Sequence, residues 1–193
     1  MNSNKPLVFV DIETTGGSPK NSRVLELAAV RVENGTIAAS MNSLIDSGDY
    51  IPPFIEHLTG ISEAQVWGKP SFSGIVGEFS QLMQGAIFVA HNVNFDYSFI
   101  KNEYDRLGMQ FQFQKICTVR LSRYFYPYEA SHRLDAVIER HDIQVQDRHR
   151  AMGDAMAIYD FYRILLNEFD STEIEAAIMQ QLGAPIKKRI LYK

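Results

Sequence analysis

Two acidic residues separated by one residue, Asp11 and Glu13, end an apolar run of strand-forming residues that begins at Leu7. Because side chains alternate between the faces of a strand, both carboxylates point to one side, while Val10 and Ile12 point to the other. Two like charges on one face repel each other and lose hydration unless a cation or a shared proton compensates them. The pair predicts a metal site, although an edge strand with two solvated carboxylates has the same pattern.

A third carboxylate, Asp154, belongs to a later segment with the hydrophobic period of a helix. Asp154 lies four residues before the first member of the apolar stripe, which comprises Ile158, Phe161, Tyr162, Leu165, Leu166 and Phe169. The carboxylate is thus placed on the buried helix face, where an unpaired charge costs several kcal/mol. It needs a cation, hydrogen-bond donors or a proton. A capping or salt-bridged aspartate at the helix start is the simpler alternative.

Asp96 is a fourth candidate, in the first turn of a helix that is predicted to begin near Asn94. Phe99 and Ile100 follow it by three and four residues, and the short apolar run before it indicates a buried strand. An acidic residue in the first helical turn is also favoured by the helix dipole, so a purely structural role is the alternative. Asn92 and Asn94 are candidate caps of the same helix.

His149 precedes Asp154 by five residues, a spacing that places it on the loop that leads into the helix. It stands between Arg148 and Arg150. An imidazole with an ordinary pKa of about 6.5 suits a general base that takes a proton from a metal-bound water. A surface histidine in a basic loop is the alternative interpretation, and the sequence offers no comparable argument for the other histidines.

The four carboxylates come from three separated segments, each at a strand end or a helix start that faces the predicted core. Two divalent ions about 3.5 to 4 Å apart stabilise the attacking and leaving oxygens of an in-line displacement at phosphorus. The set therefore predicts two divalent cations, Mg²⁺ or Mn²⁺, and a phosphodiester substrate.

The elements that must position these groups follow from the hydrophobic periods and turn residues. Extended runs at 7–16, 24–32 and 36–45, with Asn34-Gly35 as a tight turn, predict an antiparallel meander. Further strands are predicted at 87–90 and 115–119, and helices at 72–83, 94–107, 120–126, 134–140, 151–167 and 172–182. A helix start is predicted at Ser62, within an otherwise irregular segment at 52–68. Three early strands, then strands alternating with helices, indicate an α/β fold with a mixed sheet.

The composition excludes several classes of protein. The 193 residues suffice for one sizeable core, and 46% hydrophobic with 22% charged residues excludes a disordered or collagen-like chain. No run approaches the ~20 apolar residues of a membrane span and the start lacks the apolar core of a signal peptide, so we expect a cytoplasmic protein without membrane contact. Cys117 is the single cysteine, which excludes an intrachain disulfide, and its apolar neighbours predict a buried side chain.

The formal net charge of −4 argues against a general DNA-coating protein. It does not exclude a nucleic-acid enzyme, because two divalent ions add four positive charges at the site. The basic segment 186–193 is a candidate tail, linker or phosphate contact.

The segments around the candidate residues resemble, in order and spacing, the three exonuclease motifs of DEDDh-type 3′-to-5′ exonucleases. They are residues 9–16, 91–96 and 149–154, and the resemblance covers roughly residues 6–168. The family includes the proofreading epsilon subunit of bacterial DNA polymerase III. The resemblance implies a ribonuclease H-like fold with a mixed five-stranded sheet flanked by helices. It divides the chain into an exonuclease domain, 1–168, and a C-terminal helix with a basic tail, 169–193.

The resemblance also implies a role for each of the five candidate residues. Asp11, Glu13 and Asp154 would hold the first metal, and Asp11 would bridge to the second. Asp96 would act on the second ion, partly through water. His149 would be the general base, as in the histidine subclass of the family. The implied reaction releases nucleoside 5′-monophosphates one at a time from a single-stranded 3′ end of DNA or RNA.

Seven further positions match family residues that line the terminal nucleotide: Thr14, Thr15, His57, Leu58, Thr59, Asn92 and Phe95. Threonine and asparagine can hydrogen-bond sugar and phosphate, while Leu58 and Phe95 offer apolar surface to a base, with core packing as their alternative. Two positions depart from the family. Gly17 stands where many relatives carry a larger apolar residue that wedges against the terminal bases, which puts base separation by this loop in doubt. Asp142 replaces a common glycine, and aspartate tolerates the left-handed turn expected there.

Two other hypotheses remain beside the exonuclease. One is a non-catalytic module that binds nucleic acid or a polymerase, with the basic tail as its docking feature; the presence of all five residues argues against it. The other is an RNA-specific exoribonuclease similar to ribonuclease T or oligoribonuclease. The resemblance suggests proofreading or end trimming in DNA replication and repair, with a DNA polymerase subunit as partner. The sequence leaves the sugar preference, the metal and the oligomeric state open.

Overall fold

The computed structural model describes residues 5–183. Within this range five strands form one sheet in the order β3-β2-β1-β4-β5. The strands are β1 (Leu7–Thr14), β2 (Val24–Glu33), β3 (Thr36–Leu44), β4 (Ile87–Ala90) and β5 (Lys115–Cys117). β1, β2 and β3 pair antiparallel, whereas β1, β4 and β5 pair parallel, so the mixed five-stranded sheet predicted from the sequence is confirmed.

Helices pack on both faces of this sheet. Those described are α1 (Pro53–Thr59), α2 (Glu63–Val66), α3 (Phe72–Met83), α4 (Asn94–Arg106), α5 (Thr118–Phe125), α6 (Leu134–Arg140), α7 (Ala151–Glu168) and α8 (Ser171–Gln181). In the part of the chain that the structure describes, no helix combines the length and the apolar character needed to cross a membrane.

Helix α1 corrects the expectation of an irregular segment at 52–68. Pro53 occupies the first helical position, where its fixed φ suits the helix, and Gly60 ends the helix with a left-handed φ of 69°. The predicted start at Ser62 is confirmed, because Ser62 and Gln65 form a capping box at the start of α2.

The expected asparagine caps of α4 are a second correction. Val93 is the N-cap residue of this helix and makes no side-chain capping bond. The Asn94 side chain instead accepts a hydrogen bond from Lys115 at 2.9 Å. Asn92 adopts a φ of 67°, which turns the chain sharply between β4 and the helix.

Two apolar layers cover the two faces of the sheet. Val10 and Ile12 belong to the layer that contains residues of α3 and α4, whereas Phe9 belongs to the layer that contains residues of α5 to α8. Because faces alternate along β1, Asp11 and Glu13 share the face of Phe9 and point towards α7. The strand period thus places both carboxylates opposite the helix that carries Asp154.

Helix α8 packs into the same layer as α7 through Ile174 and Ala177. Its Gln181 side chain accepts a hydrogen bond from the Cys117 N–H at 2.8 Å and donates one to the Cys117 carbonyl at 3.3 Å. Cys117 is buried, as predicted. The basic tail expected near Lys187 lies outside the described residues.

Candidate active site

Three of the predicted carboxylates meet between the end of β1 and the start of α7. One oxygen atom from each of Asp11, Glu13 and Asp154 lies within 4.8 Å of the other two. Asp154 is buried in the first turn of α7, and the other two are half-buried. The structure therefore brings Asp154 close to two carboxylates that precede it by more than 140 residues in the chain.

Asp96 reaches the same place from the other side of β1. It lies in the first turn of α4, which follows β4, and β4 runs parallel to β1, so both strands end at the same edge of the sheet. The Asp96 side chain is 3% exposed. Burial, the largest cause, raises the pKa of Asp96, whereas the Ile12 backbone acts to lower it.

The four carboxylates line one cleft with a volume of about 220 Å³. The cleft is lined by Asp11, Ile12, Glu13, His91, Asn92, Phe95, Asp96, Leu134, Arg148, His149 and Asp154. All five residues proposed for catalysis are among them. The predicted convergence of acidic groups with a histidine is therefore present in the fold.

Burial is the largest cause of the raised pKa of each of the four carboxyl groups, and repulsion from neighbouring carboxylates adds to it at Asp11 and Glu13. Burial is the largest cause for Glu13, whose pKa rises to about 8, followed by repulsion from Asp154 and Glu26. Burial also raises the pKa of Asp96 to about 8 and the pKa of Asp11 well above its ordinary value, the latter with added repulsion from Asp96. Protein side chains alone do not compensate this charge, so the site favours protons or added cations.

Arg148 supplies the cleft with a guanidinium group. Its Nη1 contacts Asp154 Oδ2, while Nε and Nη2 lie 2.9 and 2.8 Å from Asp135 Oδ1. Burial raises the pKa of Asp154, and Arg148 acts in the opposite direction. Asp154 Oδ1 is buried and has no hydrogen-bond partner among the described residues.

The donor set fits hard divalent cations. Each donor is a carboxylate oxygen, the ligand type that Mg²⁺ and Mn²⁺ prefer. Asp154 Oδ1 is a buried oxygen that lacks a donor, which a cation would satisfy. The cluster of Asp11, Glu13 and Asp154 could therefore hold a metal ion.

His149 lies at the cleft on the loop that precedes α7, as predicted. Asp147 and His149 adopt left-handed φ values of 54° and 63°. The loop packs closely on α7 at Gly153, where an added Cβ would lie 2.3 Å from the Gln146 carbonyl oxygen and 2.7 Å from that of Asp147. Only glycine at position 153 lets the loop that carries His149 approach the helix this closely.

A buried ion pair fastens this loop to the sheet. Glu26 on β2 is fully buried and accepts hydrogen bonds from Arg150 Nε and Nη2 at 2.9 and 2.8 Å. It also accepts one from the Ala151 N–H at 3.1 Å, which satisfies a backbone donor at the start of α7. Glu26 is the direct β-sheet partner of Glu13.

Sequence reasoning missed the roles of Glu26 and Arg148. The signal for Glu26 was present, since it is the one acidic residue inside the apolar run 24–32. An ionised residue there needs a partner, but nothing in the sequence indicates that the partner is Arg150. Arg148 was noted only as a neighbour of His149, and its pairing with Asp135 on α6 depends on the fold.

His91 also lines the cleft, although nothing in the sequence supports it as a base. Its Nδ1 lies 3.0 Å from the Thr118 hydroxyl, and its Nε2 donates to the His132 carbonyl at 2.8 Å. Burial lowers the pKa of His91 to about 4. Both ring nitrogens are thus engaged within the protein, which leaves His149 as the histidine of the cleft that is suited to base chemistry.

The predicted nucleotide-binding residues fall into three groups. Asn92 and Phe95 line the acidic cleft, and His57 and Leu58 are exposed on α1. The three threonine hydroxyls are already hydrogen-bonded within the protein: Thr14 to Gly16, Thr15 to Arg23 and Thr59 to Ile55 and Ile61. The nucleotide contacts of all seven positions remain predictions.

The fold and the acidic cleft define a nuclease-like α/β protein, and the family model named RNase_T, described as an exonuclease, matches residues 8–162. This match covers more than half of the chain. The chain therefore belongs to this exonuclease family.

Curated relatives agree with this assignment. The chain is 34% identical to the DNA polymerase III subunit epsilon of Aquifex aeolicus over 163 residues, which cover 83% of this chain and 80% of that protein. It is 39% identical over 150 residues to the 3′-5′ exonuclease DinG of Bacillus subtilis, covering 77% of this chain and 16% of DinG. The chain spans 10 to 19% of the length of the DinG and PolC-type relatives that it matches.

Solved structures share the fold. The zinc-bound exonuclease I–ssDNA complex of E. coli aligns with a TM-score of 0.79 at 19% identity, covering 90% of this chain and 43% of that one. Exonuclease X in complex with 5′ overhanging duplex DNA aligns with a TM-score of 0.68 at 23% identity, covering 89% of this chain and 99% of that one. The ribonuclease H-like fold expected from the sequence is confirmed.

Proposed function

We propose that this chain is a metal-dependent 3′-to-5′ exonuclease that hydrolyses the terminal phosphodiester bond of single-stranded 3′ ends and releases nucleoside 5′-monophosphates. The observation that carries the proposal is the convergence of Asp11, Glu13 and Asp154 within 4.8 Å. Buried Asp96 and the loop residue His149 border the same cleft. The relatives named as 3′-5′ exonucleases support the direction of attack on the strand.

In this proposal the four carboxylates hold two divalent cations, Mg²⁺ or Mn²⁺. Asp11, Glu13 and Asp154, whose oxygen atoms lie within 4.8 Å of one another, would hold the first cation, and Asp11 and Asp96 would hold the second. Two such cations stabilise the charge that develops on the attacking and leaving oxygens at phosphorus. Burial is the largest cause of the raised pKa values of Glu13 and Asp96, and a bound cation would favour the charged form of both groups.

His149 takes the proton from the attacking water in this mechanism. A general base must come within hydrogen-bond reach of the proton that it removes, and His149, on the loop before α7, lines the cleft that contains the four carboxylates. Glu26 and Arg150 hold the base of that loop, and Gly153 lets it pack on α7.

Asn92 and Phe95 are the residues best placed to meet the terminal nucleotide. Both line the cleft beside Asp96. The Asn92 amide can hydrogen-bond a sugar or phosphate, and the half-buried Phe95 ring offers stacking surface to a base. Such contacts recognise a nucleotide without selecting one base.

The test uses matched oligonucleotides labelled at either the 3′ or the 5′ end, incubated with the protein and Mn²⁺ or Mg²⁺. We expect immediate loss of the 3′ label, a ladder of shortening 5′-labelled products, and nucleoside 5′-monophosphates as the small product. Chelation with EDTA should stop the reaction. A wild-type protein that binds Mn²⁺ yet leaves both labels intact contradicts the proposal.

Two aspartate variants on α7 provide the matched control. Asp154→Asn removes a proposed metal ligand and should abolish hydrolysis while 3′-end binding persists. Asp160→Asn lies on the same helix, where Asp160 pairs with Arg163 at 3.1 Å, and should retain activity. Equal activity of the two variants would exclude the proposed site.

The sugar preference and the biological use are separate parts of the proposal. Digestion of DNA and RNA oligomers of the same sequence in parallel distinguishes a DNA exonuclease from an exoribonuclease. The epsilon and PolC-type relatives suggest a proofreading or repair role with a DNA polymerase subunit as partner. Preferential removal of a mismatched 3′ nucleotide from a primer–template is the expected result for proofreading.

A further inference from the structure

The acidic cleft contains its own cation, the Arg148 guanidinium. Its Nη1 contacts Asp154 Oδ2, and the side chain is 27% exposed while that of Asp154 is 7% exposed. The positive charge also acts to lower the pKa values of Asp11 and Glu13. It therefore affects all three carboxylates of the acidic triad, which comprises Asp11, Glu13 and Asp154. When all four carboxyl groups are ionised, one guanidinium does not balance them, and the cleft carries excess negative charge.

The contact of Arg148 uses one of the two Asp154 oxygens. The other, Oδ1, is buried without a partner among the described residues. A divalent cation in the triad needs an Asp154 oxygen and brings a second positive charge against the guanidinium. The cation and Arg148 therefore compete for the same carboxylate.

Arg148 has a second ion-pair partner, Asp135, which can hold the guanidinium when its contact with Asp154 is broken. Its Nε and Nη2 lie 2.9 and 2.8 Å from Asp135 Oδ1. Asp135 is on α6, and its side chain is 68% exposed. The guanidinium can thus release Asp154 and stay paired with Asp135, without losing every partner.

The position of Arg148 in the chain connects its release from Asp154 to the proposed base, His149. Arg148 immediately precedes His149, and the left-handed residues Asp147 and His149 flank it. Movement of the Arg148 backbone therefore moves His149 as well. The loop is held at its far end by the ion pair of Arg150 with Glu26, so the change is confined to the segment before α7.

We propose that Arg148 is an internal counter-cation that contacts Asp154 in the metal-free protein and is displaced from it, by charge repulsion, when a divalent ion binds. It is a positioning residue, since it acts on Asp154 and not on the substrate. This proposal rests on the proposed metal-dependent function but is tested by metal binding alone. The Arg148 charge offsets part of the negative charge of the cleft in the metal-free protein and lowers the affinity of the cleft for metal.

The experiment titrates Mn²⁺ alone, without nucleic acid, into chelator-treated protein at neutral pH by calorimetry. Arg148→Gln should bind Mn²⁺ about tenfold more tightly than the wild type, because the competing charge is removed. Arg148→Lys should lie between them, since it keeps the charge and loses the two-sided fork. Arg163→Gln, an exposed arginine on α7 paired with Asp160, is the charge-matched control and should behave as the wild type.

Thermal unfolding in EDTA gives an independent readout. Arg148→Gln should melt below both the wild type and Arg163→Gln, because its acidic triad has lost its compensating charge. The Mn²⁺-induced rise in melting temperature should be larger for Arg148→Gln than for the other two proteins.

Separate outcomes bear on the two proposals. Unchanged or weaker Mn²⁺ binding by Arg148→Gln, in a wild type that binds Mn²⁺ and hydrolyses 3′ ends, overturns the counter-cation role alone. Tighter binding by Arg148→Gln, in a protein that hydrolyses nothing, overturns the exonuclease proposal and supports the counter-cation role. A wild-type protein that binds no Mn²⁺ overturns both.

Discussion

Glu26 on β2 holds Arg150 at the start of α7 through two hydrogen bonds of 2.9 and 2.8 Å, and Glu26 is the strand partner of the proposed metal ligand Glu13. The pair therefore connects the strand that carries two carboxylates to the helix that carries the third. Glu26 is fully buried, whereas the Arg150 side chain is 34% exposed. The Glu26–Arg150 pair fixes the distance between β1 and α7.

The first prediction concerns Glu26→Gln. Glutamine keeps the size of the side chain but cannot accept two charge-assisted bonds from Arg150, so we expect a loss of about 1–3 kcal/mol in the free energy of unfolding. The catalytic rate should fall more than the substrate KM changes, because the loop that bears His149 loses its anchor. Urea unfolding and steady-state kinetics measure the two effects.

A double-mutant cycle with Arg150→Gln checks this interpretation. If the residues act as a pair, Glu26→Gln combined with Arg150→Gln should cost less than the sum of the single variants. Strict additivity of the two losses would show that Glu26 stabilises the fold without Arg150.

The second prediction separates the proposed base from the metal ligands. His149→Ala should lower kcat by a factor of about 10² to 10⁴, the usual contribution of general acid–base catalysis, and should leave Mn²⁺ affinity unchanged. Asp154→Asn should lose both activity and Mn²⁺ affinity. Calorimetry and a 3′-end assay on the same protein preparations make the comparison.

The sequence predicted the sheet well because its signals are local. Alternating faces placed Asp11 and Glu13 together, the Asn34-Gly35 pair specified the hairpin, and the apolar run at 87–90 coincides with β4. Helix α1 was missed because adjacent prolines indicate a turn as readily as a helix start. At such positions the same residues fit two local structures, and packing selects one.

The convergence of the site was predictable only in part. Each carboxylate was recognisable by its place at a strand end or in a helical first turn, and the three motifs gave their order. The pairings of Arg148 with Asp135 and of Glu26 with Arg150 depend on tertiary distances that no local pattern contains. Arginine has many acceptors in a sequence, and the fold determines which one it meets.

The third prediction is a fall in stability of the metal-free protein as pH rises. The pKa of Glu13 is about 8 in the folded protein against an ordinary value of 4.5, and Asp96 shows a similar rise. Between these values the folded state keeps protons that the unfolded chain has released, so the free energy of unfolding decreases with increasing pH. Urea unfolding in EDTA at a series of pH values measures this slope.

Glu13→Gln should flatten that slope and make the metal-free protein more stable than the wild type near pH 8. The exposed Glu78 on α3 gives the control Glu78→Gln, which should keep the wild-type slope. Because divalent cations bind deprotonated carboxylates, stabilisation by Mn²⁺ should grow over the same pH range. A slope unaffected by Glu13→Gln would show that other groups cause it.

The fourth prediction compares two helical glycines, Gly153 in α7 and Gly77 in α3. An alanine Cβ at position 153 would lie 2.3 Å from the Gln146 carbonyl oxygen, whereas nothing lies within 4 Å of a Cβ at position 77. We therefore expect Gly153→Ala to lose about 1–3 kcal/mol in the free energy of unfolding, as overpacking does. Gly77→Ala should gain about 0.5–1 kcal/mol, because alanine loses less conformational entropy in a helix than glycine.

Activity should separate the two variants further. Gly153→Ala displaces the carbonyls of Gln146 and Asp147, and with them the segment that carries Arg148 and His149, so hydrolysis should fall even at temperatures where the variant remains folded. Gly77→Ala lies far from this loop in the chain and should keep full activity. Urea unfolding, circular dichroism and a 3′-end assay on both proteins measure these effects. If Gly153→Ala is as active as Gly77→Ala, the close packing of the loop on α7 is not what positions the proposed base.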